Sequence, residues 1–427
     1  MNTRSFLFAA IATIATCSAS VSAQQFWLVQ KLFLPNQVDT HDIGRSFASG
    51  SGNVYIGSIG TLSGNDQDGG VYQFDATTLA FERELFSTGN VGDNDFGWTM
   101  KYHNGLLLVG APGQDTERGN TGAAYLFNAN TGNIIERFED FNGQSGDLMG
   151  EAVGLEGIVA LVGSPFAGPR GRVVLYRTDN LAQFGSLTVP AGFDDEQFGS
   201  EIVVNSDYAV ISARQSADNS GVVYVLDFVT GVVLHRFVSP NSSTFDGFGG
   251  ALALDGDTLV VGAQRGGLLT FGAAFIYDLT TGALIETLSD QSGQSAFGRS
   301  VDINDQYIIV GASSYFGGLG RISLYNRTTF NLIRTFESPD PFSGESFGQV
   351  VKLEDEYILT SNFRNNDPER DVFVIDQFCQ ADINLDGSLN FLDVSAFIKF
   401  AIDFNQDGNF NFLDISAFLA SFSEGCP

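Results

Sequence analysis

Two twelve-residue segments near the C-terminus carry the side chains most able to do chemistry. In the first, Asp382, Asn384, Asp386, Asn390 and Asp393 place oxygens at positions 1, 3, 5, 9 and 12, with Gly387 at position 6 for a sharp turn. The second starts 21 residues later and repeats the pattern with Asp403, Asn405, Asp407, Asn411 and Asp414 around Gly408. Calcium takes six to eight oxygen ligands at flexible geometry, and such loops supply them, the carbonyls of Ser388 and Asn409 serving at position 7. Two matched copies make two bound calcium ions the expectation. The alternative is a pair of Asx-rich turns that cap helices.

Each loop runs into a short amphipathic segment that must hold it in place. Val394, Phe397, Ile398 and Ala401 share one helical face, as do Ile415, Phe418, Leu419 and Phe422. So small a segment buries little core, so metal and a covalent link are expected to stabilise it. Cys379 and Cys426 bracket it. The chain opens with a basic Arg4, an apolar run from Phe6 to Ile14 and a cleavage-like Val21-Ser22-Ala23, which reads as an export signal over residues 1–23. Removing it takes away Cys17 and leaves an even pair in an oxidising compartment, so a Cys379–Cys426 disulfide is expected. The loop it closes is worth about 4 kcal/mol in the chain-entropy model. Ile14-Ala15-Thr16-Cys17 also matches a lipobox loosely, with Thr16 a poor fit, which leaves a lipid-anchored form open beside a freely secreted one. No stretch of the mature chain is long enough to span a bilayer.

The 50 acidic residues against 21 basic ones, a net charge of -29, argue against nucleic acid and anionic membrane surfaces as partners. The three histidines, His41, His103 and His235, fall at dissimilar places. There is no zinc-protease pair, nucleophile elbow or phosphate loop, and the Lys and Arg residues show no grouping along the chain that would hold phosphate. Asp194-Asp195 reads as a solvated acidic turn. The chain is therefore expected not to be an enzyme. The alternative is an extracellular hydrolase, directed at a polysaccharide or phosphoester, whose carboxylates lie far apart in sequence.

The rest of the chain is one repeated unit. Phe-Gly recurs at Phe96, Phe198, Phe248, Phe297 and Phe347, with degenerate copies at Ile43-Gly44 and Met149-Gly150, every fifty residues or so. After each comes a short strand, then an apolar strand ending in Gly-Ala or a variant, such as Leu107 to Ala111, Leu259 to Ala263 and Ile308 to Ala312. A third strand follows (Ala123 to Phe127, Val222 to Leu226, Ala273 to Tyr277), then a Thr-Gly turn and a fourth. Four antiparallel strands at this period make a propeller blade, so the expectation is an all-β, seven-bladed β-propeller over residues 24–378. The second strand is apolar throughout because neighbouring blades cover both its faces, and the phenylalanines wedge between blades. The last repeat has only three strands before Cys379, and Trp27 to Phe33 fits as the missing outer one, closing the ring.

Phe-Gly starts with Val109-Gly110-Ala111-Pro112 resemble the FG-GAP repeats of integrin α-subunit propellers and their bacterial relatives, over roughly residues 25–378. That family often carries a calcium loop between strands. The nearest match, Asp66-Gln67-Asp68-Gly69, lacks the later ligands and reads as a polar turn. Residues 379–427, with duplicated loops each followed by one helix, resemble a type I dockerin, a small helical calcium-binding module. Asp at position 12 is shared with that family. Phe391-Leu392 and Phe412-Leu413 stand where cellulosomal dockerins often carry small hydroxyl residues. The resemblance implies docking onto a cohesin-like or other surface protein. Together the two parts imply a secreted or cell-surface interaction protein, with the propeller presenting loops to a protein or glycan.

Overall fold

Strands appear where the fifty-residue repeat places them. The computed structural model describes residues from Gln25 to Cys379 apart from 33–42, 60–68, 89–93, 117–118, 192, 194, 216–219, 241–245, 265–271, 291–295, 314–319, 339–345, 355–356 and 363–370. Among these residues there are seven four-stranded antiparallel sheets and one two-stranded ribbon, Asp115–Thr116 with Gly119–Asn120. The fifth blade is typical: Phe248–Asp255, Thr258–Ala263, Ala273–Asp278 and Ala283–Leu288 pair in sequence order. The first strands of the seven blades touch in cyclic order, the seventh against the first. A compact unit spans Val29–Ile375.

The seventh blade is completed from the other end of the chain. Its order is Val350–Leu353, Tyr357–Ser361, Val372–Cys379 and then Gln25–Lys31 on the outside. Leu32 N donates to Val372 O at 2.7 Å, so the pairing continues past the strand. The expected strand from Trp27 thus begins two residues earlier, at Gln25, and ends at Lys31.

Burial explains the composition. The Phe of each Phe-Gly (Phe96, Phe198, Phe248, Phe297, Phe347) and its stand-ins Ile43 and Met149 are all buried. The second-strand runs Leu107–Val109, Leu259–Val261 and Ile308–Val310 have no exposed surface, because the cores lie between blades. One core, for example, joins Tyr357, Leu359 and Val374 of the seventh blade to Ile43, Phe47 and Val54 of the first. Third-to-fourth strand hairpins turn on an Asx side chain: Asn128 Oδ1 accepts from Thr131 N at 3.0 Å, and Asp227 Oδ1 from Thr230 N at 2.7 Å. The following Gly132, Gly231 and Gly282 take φ of 73°, 68° and 72°, and a bulge follows in each hairpin.

Candidate functional site

The residues of both expected calcium loops, the segments expected to be helical after them and Cys426 lie outside the described residues. So do the side chain of Cys379, His41 and Asp66 to Asp68. Among the described residues no group of three or more His, Cys, Asp or Glu side chains is placed to hold a metal ion. No helix among them is long and apolar enough to cross a membrane.

The best-formed polar site in the described fold is the channel at the ring's centre, a cavity of about 450 Å³ lined by residues of all seven blades. The repeat itself positions its side chains. The residue three after the conserved glycine is buried between blades in every repeat: Phe47, Met100, Val153, Ile202, Leu252, Val301 and Val351. Alternation along the strand turns the fourth residue to the blade's other face, where Ala48, Val203 and Ala253 join inter-blade cores and the longer Lys101, Asp302 and Lys352 line the channel. The first and fourth positions supply Arg45, Glu151, Arg299, Lys101, Asp302 and Lys352 to the wall.

Glu201, at the second position, and Arg214, from a second strand, complete the set of charges. Five cations thus face three acids in a chain whose net charge is -29. The Lys and Arg residues that look scattered in sequence are grouped here. More than fifty residues separate each cation from the next, which is why no local run reveals them. The signal that would have found them is a comparison of the first and fourth positions across repeats.

Most of these charges are satisfied within the wall. Arg214 Nη2 donates to Glu201 Oε1 at 2.8 Å and to Gly250 O at 3.3 Å. Lys352 Nζ donates to Asp302 Oδ2 at 2.9 Å, and Leu353 N donates to the same oxygen at 2.8 Å. The Arg45 guanidinium lies 3.7 Å from the Trp98 ring centroid, a cation–π contact. With its amide turned so that both ends are satisfied, the Gln349 oxygen accepts from Arg299 Nη2 at 2.7 Å.

Lys101 and Glu151 differ. Neither side chain makes a hydrogen bond or salt bridge among the described residues. Burial pushes the Lys101 ammonium below the usual lysine range; Lys352 adds to this, and Asp302 and Glu201 oppose it. Burial likewise raises the Glu151 carboxyl, against the opposing charges of Arg214 and Arg45.

Two other polar groups are structural. Asp195 is not a solvated turn residue. It is buried, Arg236 Nη2 donates to its Oδ1 at 3.0 Å and its Oδ2 at 2.8 Å, and the Tyr224 hydroxyl bonds it as well. The doublet misleads because its partners come from strands 29 and 41 residues away. His103 lies 3.4 Å from Glu156, and His235 lies against Leu279 O at 2.8 Å, so the two share no site.

A second cavity, of about 370 Å³, is apolar and lies between the third and fourth blades. Phe184, Leu187, Leu226, Phe228 and Val229 line it, and Val229 is 85% exposed.

Residues 234–277 match the FG-GAP repeat family model. That segment runs from the outer strand of the fourth blade through the third strand of the fifth, and so takes in one Phe-Gly start, at Phe248. No curated protein matches the chain significantly.

Proposed function

We propose that this protein is a secreted, calcium-binding interaction or scaffold protein. In this reading the propeller is the platform for a protein or glycan, and residues 379–427 are a dockerin-like module that docks onto a cohesin-like or other surface protein. The observation that carries it is the doubled twelve-residue loop beginning at Asp382 and Asp403, attached to a propeller with FG-GAP repeats. The exposed apolar groove beside Phe184 and Val229 supports the platform role, since such patches mark contact surfaces. The test is calorimetric titration of calcium into the chelated full chain. Two ions should bind, one should be lost with Asp382→Ala and the other with Asp403→Ala. No binding by the wild-type chain removes the docking module from the account.

One observation favours a hydrolase reading: Glu151 holds a raised carboxyl in the channel, as a general acid would. Glu201 sits in the same wall but is paired with Arg214. Turnover of a polysaccharide or phosphoester that disappears with Glu151→Gln would establish this reading instead.

A further inference from the structure

We propose that the central channel is a binding site for a small oxyanion, a carboxylate or phosphate group, with Lys101 as its anchoring cation. Three observations converge on this. The cavity, about 450 Å³, has the size of a small-molecule pocket and holds roughly fifteen waters at liquid density. Its wall is cation-rich in a chain that is otherwise strongly acidic. And one cation is left over. Arg214 is held by Glu201, Lys352 by Asp302, and Arg45 lies on Trp98, whereas the Lys101 ammonium has no direct partner among the described residues.

The arrangement around the ring gives the site a direction. Counting blades in sequence order, Arg299, Lys352, Arg45 and Lys101 come from the sixth, seventh, first and second, which are consecutive once the ring closes. Asp302, paired with Lys352, also comes from the sixth; Glu151 comes from the third, and the paired Glu201 and Arg214 from the fourth, so the unpaired acid stands opposite the run of cations. The anion therefore belongs on the basic side, beside Lys101, where a charge-assisted hydrogen bond satisfies an ammonium that burial otherwise penalises. This site is independent of the calcium loops.

The experiment is calorimetric titration of the full chain, in calcium-free chloride buffer, with inorganic phosphate, D-glucuronate and, as the neutral control, D-glucose. One phosphate or glucuronate should bind per chain, glucose should not bind, and the tighter of the two anions identifies the source of the oxyanion. Lys101→Met should weaken binding at least about tenfold, and Lys101→Arg should largely retain it. Glu151→Gln, which removes an acid from the wall and reads the same idea without touching Lys101, should tighten it. The proposal is overturned if neither anion binds at about 20 mM, a concentration well beyond weak-site affinities. Equal binding to Lys101→Met overturns it too, as does weaker binding to Glu151→Gln.

Discussion

The Ser361 hydroxyl donates to the Gly44 carbonyl at 2.8 Å, joining two residues 317 positions apart. This bond crosses the seam between the last blade and the first. Equivalent contacts recur where blades meet in sequence: Ser46 Oγ donates to Gly97 O at 2.7 Å and Ser300 Oγ to Gly348 O at 2.9 Å. At the seam the donor comes from a second strand and at the other two junctions from a first strand, but the acceptor is each time the glycine carbonyl that opens the next blade, and the outer strand Gln25–Lys31 completes the seventh sheet. The N-terminal strand thereby covers the edge that Val372–Cys379 would otherwise expose.

Gly44 is expected to be intolerant of any side chain. Its φ is 77°, and an added Cβ would stand 2.6 Å from the Ser361 Cβ. Gly157 has a similar φ of 55° but nothing within 4 Å of an added Cβ. Gly157→Ala should cost about 1 kcal/mol from backbone strain alone, and Gly44→Ala about 3 kcal/mol or more because the seam must also open. Ser361→Ala should cost about 1 kcal/mol for the lost hydrogen bond. Urea unfolding of the three variants checks the order. Equal losses for Gly44→Ala and Gly157→Ala would contradict the packed seam.

Asp195→Asn should destabilise the fourth blade. It removes the charge that faces Arg236, whose guanidinium also lies 4.6 Å from the Phe193 ring. Arg236 keeps 26% of its side chain exposed, so solvent softens the loss, and about 2 kcal/mol is expected in place of the larger figure for a sealed pair. Thermal unfolding reads it directly. A change under about 0.5 kcal/mol would return Asp195 to the solvated-turn role its sequence suggests.

Asp246 should make stability fall as pH rises. Burial lifts its carboxyl above the usual range, against the opposing hydrogen bonds of Ser239 and of Phe248 N, and its Oδ2 has no partner. The folded protein therefore holds this proton to higher pH than the unfolded chain does. The group's contribution is complete below the ordinary carboxylate range and is lost as pH climbs through the raised folded value. Asp246→Asn has no such proton to lose. Between about pH 3 and about pH 6, the range in which carboxylates ionise, the stability difference should move in favour of the variant. A constant difference would show that Asp246 ionises as freely folded as unfolded.

The propeller is legible because its rules are local and repeated. Phe-Gly, the apolar second strand and the Asx-Thr-Gly turn are each a few residues long and recur every fifty. Departures from the pattern are set by tertiary packing. Leu79, Leu181 and Phe330 occupy the turn position of Gly132, and they take φ of 54°, 63° and 58°. Each packs against an inter-blade core, and that burial offsets the strain of a side chain in the left-handed region. The channel and the Asp195–Arg236 pair were not legible, since their members come from different strands or blades and only the closed ring makes them neighbours. The proposed calcium loops, by contrast, are contiguous in sequence, so one line of residues carries every ligand expected of them.

Hydrogen exchange of the full chain with and without calcium tests the central claim most directly. Calcium should slow exchange in peptides covering residues 380–427 and leave the second strands of the blades, such as Leu259 to Ala263, unchanged. Protection that appears only in the propeller, or nowhere, would contradict a calcium-ordered docking module attached to a self-sufficient ring.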